Sequence, residues 1–370
     1  MTGGDPAGVR PWTANALRFA GAPAVALLVL AALLAAMGFD VALALAALWR
    51  GAAGSPDAIL SATLVRATPL LFTGLAVAIA FRAGVLNIGA DGQLLAGAAA
   101  ATVVGLASSG RAIPGWSLTA LLAAAIAGAA WAAVPAWLKK RFGALEVIST
   151  IMLNFVALQM VSFLVRGPLQ EPLGIYPQSA PIGQPAQLPV LVPGSRLHAG
   201  FLLALALAAV TAFVIRYTAA GFRLRVVGAN PSAAAIAARI NVPAVQMRAF
   251  LVSGALAGLA GGVEVLGVTF ALYENLSPGY GYTAIAVALL AGLRPVAVIA
   301  SSILLGGLAA GAAAMQRDAG VPAGAAAVAE AVVVLTLLAA QVLLARERIG
   351  RLSLQRRPAE PNAGTGVRTP

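Results

Sequence analysis

Cysteine is absent from the 370 residues and His198 is the only histidine, so no disulfide framework and no Cys/His zinc site can be built. A Ser/His/acid triad would have to recruit His198, which lies in a Pro-rich stretch. Lysine occurs only at Lys139 and Lys140, and neither stands in a G-x-x-x-x-G-K-[ST] phosphate loop. ATP-driven work would therefore have to come from a partner. Charge is scarce as well: 10% of residues are charged and 61% are hydrophobic, whereas a soluble domain is about a quarter charged. So few charged groups could not coat the two or three soluble domains that a chain of this length would normally form.

What is present is a succession of apolar blocks, each close to the ~20 residues that cross a bilayer. They fall at Ala20–Met37, Ala67–Phe81, Gln93–Ser109, Trp116–Leu138, Val147–Val165, Phe201–Tyr217, Ala249–Phe270, Thr283–Leu293, Val296–Met315 and Ala325–Ala345. The pattern predicts an all-α polytopic membrane protein with about ten transmembrane helices. The first block is read as a span and not a signal peptide, because the charge before it is weak and further apolar blocks follow. Residues 1–19 form a polar N-terminal segment, 20–345 the transmembrane domain, and 346–370 an Arg- and Pro-rich tail, disordered at its end. Asp40–Arg66 reads as an amphipathic external segment in which Ser55-Pro56-Asp57 starts a helix.

The net charge of +12 raises the question of nucleic acid. Its distribution points to a membrane. With the N-terminus in the cytosol and ten spans, only Arg50, Arg66, Arg111, Arg166, Arg196 and Arg317 of the 24 basic residues lie outside. That is the positive-inside pattern, with anionic lipid as the partner of the basic side and no nucleic acid. Both termini are then cytosolic, the Pro/Gln-rich loop 167–200 is external, and 218–246 is a cytosolic loop.

Two segments do not look like ordinary spans. Phe81–Gln93, which contains Asn87, Gly89, Asp91 and Gln93, is dense in glycine and polar groups and runs straight into an apolar helix. It is either a plain cytosolic turn or a broken segment lining a pathway, since irregular backbone at membrane depth survives only where protein or water satisfies it. Ala271–Tyr282 is its counterpart in the second half, ahead of a short apolar run that ends at Arg294-Pro295. Interrupted segments at corresponding places in two halves point to a transport site, and the blocks 67–165 and 249–345 would insert oppositely as an inverted repeat. Gly254, Gly258 and Gly262 form one helix stripe suited to close packing, within the bundle or against a second subunit. Glu264 and Glu330 lie in apolar spans and should face the bundle or water. In the loop 218–246, Gly228 leads to Asn230, which can cap a helix with Pro231 at its first position. That helix, 231–240, carries Ala234, Ala235 and Arg239, and Asn241-Val242-Pro243 reads as its stop. It is either a docking helix for another protein or an interfacial linker.

Taken together, these residues resemble the permease subunits of ATP-binding-cassette importers, in the set serving nucleosides, ribose-like sugars and branched-chain amino acids. The likeness is greatest to the longer permease of nucleoside-type importers. It is carried by Phe81-Arg82-Ala83-Gly84 with Asn87-Ile88-Gly89-Ala90-Asp91-Gly92-Gln93, by Glu146–Asn154, by Arg225 to Asn230-Pro231, and by Ile285–Leu290. The family usually has Glu at Asp91, a polar residue at Leu145, Gly at Ala291 and a neutral polar residue at Arg294.

The resemblance implies two paired permeases, identical or homologous. Each docks an ATPase subunit through its cytosolic coupling helix, and an extracytoplasmic binding protein delivers the solute. It implies no cofactor, no catalytic residue and no metal in this chain, and a bacterial cytoplasmic membrane location. Neutral nucleosides or sugars need hydrogen-bonding groups and a stacking face, so Asn87, Gln93, Asn154 and Phe155 are expected to line the path, beside Gly89, Asp91 and Glu264. Gly228, Asn230, Pro231, Ala234, Ala235 and Arg239 are expected to couple to the ATPase. The competing readings are a ribose-type sugar permease, an ion-coupled secondary transporter using Glu264 or Glu330, and an intramembrane enzyme.

Overall fold

Alanine and leucine favour helix, and in lipid a helix pairs nearly every backbone N–H and C=O within one segment. The computed structural model describes residues 11–111 and 114–355, and side chains over 23–111 and 114–340. Among the described residues there are thirteen α-helices and no β-strand. Eight helices are long and apolar enough to cross a membrane. The expected N-terminal segment and tail fall partly on 1–10 and 356–370, outside the described residues; helix continues through Gln355.

The helices are α1 (Pro11–Ala36), α2 (Val41–Ala52), α3 (Leu64–Arg82), α4 (Ala90–Ala107), α5 (Trp116–Phe142), α6 (Glu146–Arg166), α7 (Gly200–Tyr217), α8 (Ala219–Ala229), α9 (Pro231–Ile236), α10 (Val242–Glu264), α11 (Tyr280–Leu290), α12 (Pro295–Asp318) and α13 (Ala323–Gln355). They divide into two compact units. One is drawn from 1–32 and 331–370, and its described parts are helical. The other, Leu33–Glu330, holds the features that concern function.

All ten expected spans are helical. α11, at 11 residues, is too short to cross alone. Two helix starts that differ from the sequence expectation are set by caps. Ser55 Oγ accepts the Ala58 N–H at 3.0 Å, and the helix then runs through a π-helical turn, Ala58–Thr63, into α3. Arg66 therefore belongs to a span, Ala58–Arg82, and only the first part of 40–66 is a separate helix, capped by Asp40. Asn241-Val242-Pro243 is a start and not a stop: Asn241 Oδ1 accepts the Ala244 N–H at 3.0 Å, and Pro243 lies in the first turn of α10. An Asn followed by Pro carries both meanings, because Pro is tolerated in a helix's first turn and excluded from its interior.

Burial sorts the helices. In α3 and α10, 83% and 78% of the span is buried, against 22% in α6 and α7, so α3 and α10 are central and α6 and α7 face outward. The glycine stripe explains how α10 enters the centre. A Cβ on Gly254 would meet the Gly128 carbonyl of α5, one on Gly258 the Ala124 carbonyl, and one on Gly261 the Leu94 carbonyl of α4. The stripe thus serves packing inside one chain, where lipid tails give no hydrophobic drive and van der Waals contact must hold helices together.

The loops gather at two ends. At one, Lys139 Nζ pairs with Glu146 Oε1 at 2.8 Å, Arg82 Nε donates to the Leu293 carbonyl at 2.7 Å, and Gly228 lies on the Arg82 carbonyl. At the other, Arg166 Nη2 pairs with Glu274 Oε2 at 2.7 Å, the Ser179 N–H donates to the Leu272 carbonyl at 2.9 Å, and the Arg196 N–H donates to Ser61 Oγ at 3.2 Å. The first end collects segments that the positive-inside count assigns to the cytosol; the second collects external ones.

Gly258→Leu is expected to force α5 and α10 apart, with a cost of about 3 kcal/mol or more for overpacking this seam. Monodisperse yield and melting temperature in detergent measure it. A wild-type melting curve would show that the seam is not tight.

Candidate functional site

The chain leaves α3 at Arg82, turns at Gly84 (φ +71°) and climbs back into the bundle before α4 begins. Depth can be read along α6. Asn154 lies about two turns from the start of that helix at Glu146, or roughly 12 Å at 1.5 Å per residue. Its Oδ1 accepts the Gly92 N–H at 2.8 Å, and its Nδ2 donates to the Ile88 carbonyl at 2.9 Å. Residues 87–89 are therefore non-helical backbone held about two turns inside the bundle, while Gly84 and Leu86 stay exposed at its end. From the opposite end, 271–279 leads to α11, which begins beside Asp91: the Gly281 N–H donates to Asp91 Oδ1 at 3.0 Å. The starts of α4 and α11 meet inside the bundle, as the sequence pattern of two interrupted segments suggested.

Asn87 is fully buried and uses all its hydrogen-bonding capacity. Its Nδ2 donates to Gln93 Oε1 at 2.9 Å and to Ser253 Oγ at 2.8 Å. Its Oδ1 accepts from Gln93 Nε2 and the Gly89 N–H, both at 3.0 Å. Ser253 in turn donates to the Ala76 carbonyl at 2.7 Å, so the cluster ties α3, α4 and α10 together. Asp91 accepts from Ser277 Oγ at 2.8 Å as well as from Gly281. One carboxylate thus sits in the first turn of α4 and caps the first turn of α11, where two positive helix ends converge. Gly281 must lack a side chain, since a Cβ would strike the Asp91 backbone. Asn154 Nδ2 also donates to Tyr282 Oη at 3.1 Å.

The structure therefore brings Asn87, Gly89, Asp91, Gln93 and Asn154 into one polar junction. It does not bring Phe155 there: that ring is 57% exposed on the outer side of α6. Helical spacing is the reason, because the residue after an inward-facing Asn154 points about 100° away. Glu264 is buried in α10 at 6% exposure; the charges that reach it belong to Arg196 and Arg66. Reasoning on the sequence missed Ser253, Ser277 and Tyr282 as members of the junction. Ser277 and Tyr282 lay inside the flagged segment 271–282, whereas Ser253 had no local signal.

Outside the spans, the Arg166 guanidinium and the Ser162 hydroxyl hold the Glu274 carboxyl below its ordinary range. Hydrogen bonds from Gln178 and the Tyr176 N–H do the same for Glu171. Burial, and then the charge of Arg196, lower His198 to about 4, so its ring is neutral. Both ring nitrogens are buried without a hydrogen-bond partner among the described residues, and the ring packs on Gly200 and Gly267. His198 has no acid or hydroxyl at its nitrogens and gives the triad reading no support.

At the first end, Asn230 Oδ1 accepts the Ala233 N–H at 3.0 Å, as the capping pattern predicted. The helix it starts, α9, ends at Ile236 and not at 240. Arg239 adopts a left-handed conformation (φ 49°), and the Ile240 N–H returns to the Ala234 carbonyl at 3.0 Å, closing the turn. Ala234 is buried; Asn230, Pro231, Ala235 and Arg239 are exposed. Ile236, which the sequence reading passed over, is 82% exposed at the tip. Gly228 faces inward: a Cβ there would collide with the Arg82 carbonyl, so this glycine lets the loop seat against the end of α3.

Asn87→Leu is expected to cost stability, contrary to what its role as a simple pathway contact would imply. It strands Gln93, Ser253 and the Gly89 N–H, at about 1–3 kcal/mol for each group left buried and unpaired. Thermal unfolding in detergent measures it, and an unchanged melting temperature would contradict the closed network.

The family model described as the permease component of a branched-chain amino acid transport system matches residues 59–351. A guanosine ABC transporter permease protein of Bacillus subtilis is 42% identical over 292 residues, covering 77% of this chain and 82% of the relative. A glucose ABC transporter permease protein of Haloferax volcanii is 38% identical over 321 residues, covering 82% and 83%. A nucleoside ABC transporter permease protein of Lactococcus lactis is 31% identical over 271 residues, covering 70% and 73%. No solved structure matches the chain.

Proposed function

The chain belongs to the family of branched-chain amino acid transport system permease components, and from that premise we propose that it is the permease of an ATP-binding-cassette importer for nucleosides. The observation that carries the solute class is the 42% identity to a guanosine permease over most of both chains. The junction's chemistry agrees with a neutral solute. Asn87, Gln93 and Asn154 supply amide donors and acceptors of the kind that a nucleobase or ribose requires, and the one acid among them, Asp91, is committed to capping a helix.

The same residues act as a closed gate in this reading. Each amide is engaged by protein, so solute passage requires the starts of α4 and α11 to part and the amides to exchange partners for those of the solute. The switching energy comes from a separate ATPase, consistent with a chain that lacks a phosphate loop. That ATPase grips α9, where the exposed Ala235, Ile236 and Arg239 form a short apolar and basic tip. Gly228, against the Arg82 carbonyl, transmits the displacement to α3 and the broken segment after it. A second permease, identical or homologous, and an extracytoplasmic binding protein complete the importer. The protein sits in a bacterial cytoplasmic membrane, with both termini and 218–246 in the cytosol and 167–200 outside.

Uptake into vesicles carrying the assembled importer tests this. Guanosine should enter only with ATP, be indifferent to an ionophore and resist competition by glucose. Ile236→Glu should cut uptake at least ten-fold while inserting at wild-type levels. Glucose competition would move the solute class to sugars, and uptake driven by an ion gradient without ATP would contradict the importer.

A further inference from the structure

A groove of about 380 Å³ runs between α7 and α10 beneath α8. Its walls are apolar: Leu207, Val210 and Val214 on α7 face Val252 and Leu256 on α10. At its α8 end the lining changes to two arginines, Arg223 and Arg248. Both are exposed, and neither has an ion-pair partner among the described residues. The stretch of α10 that lines the groove, from Val245 to Leu256, extends about 16 Å at 1.5 Å per residue. That is close to one leaflet of a hydrocarbon core roughly 30 Å thick. The arginine end is also the end that holds Lys139, Lys140 and Arg82, the basic side of the molecule.

A slot one leaflet deep, greasy along its length and doubly cationic at its mouth, has the polarity of a single ligand class. We propose that this groove binds an anionic phospholipid, with an acyl chain laid between α7 and α10 and the phosphate held by Arg223 and Arg248. Charge complementarity selects the occupant. A transmembrane helix of another protein would leave both guanidiniums without a counter-charge, whereas a phosphate accepts from them in the paired geometry that arginine favours. The groove's floor includes Ile79 of α3 and Ala249 of α10, the two central helices, so an occupant bears directly on the core of the bundle. This inference goes beyond the transport reading and does not depend on the solute.

Native mass spectrometry of the purified chain tests it, with phosphatidylglycerol and phosphatidylcholine of the same acyl chains as probes. Three proteins are compared: wild type, Arg223→Gln/Arg248→Gln and Val252→Trp, all altered at exposed positions. Wild type should retain one phosphatidylglycerol. The double arginine variant should bind it about thirty-fold more weakly, from two basic residues at about 1 kcal/mol each. Val252→Trp, which fills the apolar slot and keeps both charges, should lose it too. Phosphatidylcholine should bind weakly to all three, and inorganic phosphate should not displace the lipid. Equal retention by the three proteins would overturn the proposal, as would equal binding of the two lipids to wild type or displacement by free phosphate. A photo-crosslinker at position 252 should capture lipid; capture of a protein chain there would overturn it as well.

Discussion

Broken backbone inside a bilayer must find its hydrogen bonds in the protein or in a water-filled cavity, because lipid supplies none. The rest of this structure is arranged around that demand. Residues 87–89 and the approach to α11 are irregular inside the bundle, and four polar side chains close them. Asn87 serves Gly89, Asn154 serves Ile88 and Gly92, Asp91 serves Gly281, and Gln93 completes the ring with Asn87. The glycine seam of α10 belongs to the same arrangement. Only close approach of α10 to α4 and α5 puts Ser253 within reach of Asn87.

A network in which each amide is engaged by protein is rigid, yet a permease must open. The structure separates these needs in space. The amides Asn87, Gln93 and Asn154 are buried and engaged, whereas α9 is a short, exposed turn held to the bundle through α8 and the contact of Gly228 with Arg82. In the proposed reading, motion imposed at the exposed turn passes through α8 to the end of α3, where Gly228 rests on the Arg82 carbonyl, and the segment that α3 feeds is the one the amides close. At the opposite end of the molecule the clamp is ionic: Glu274, at the start of the second broken segment, is held by Arg166 and Ser162 of α6. Each broken segment is thus tethered at the molecular end from which it enters.

Much of this was legible in the residues. Apolar block length marked the spans, the Ser55 and Asn230 patterns marked helix starts, and glycine density marked the two interruptions. What the sequence obscured follows from physics that one dimension cannot carry. The start of α10 was hidden because Asn-Val-Pro signals a beginning as well as an end. The short length of α9 depended on Arg239 adopting a left-handed conformation that nothing in its side chain announces. Phe155 was misplaced because polarity and size suggested a stacking face, while helical geometry turns it away from Asn154. Ser253 was invisible because its importance lies wholly in a partner distant in the chain.

Hydrogen–deuterium exchange of the resting protein in a bilayer mimetic tests the central claim most directly, read over peptides covering 87–93 and 280–283. The account predicts that both exchange as slowly as the central helices, and that Asn154→Ala selectively speeds 87–93. Exchange of these segments at the rate of exposed loops in the wild-type protein would show that water, not the side-chain junction, satisfies them, and would contradict the account.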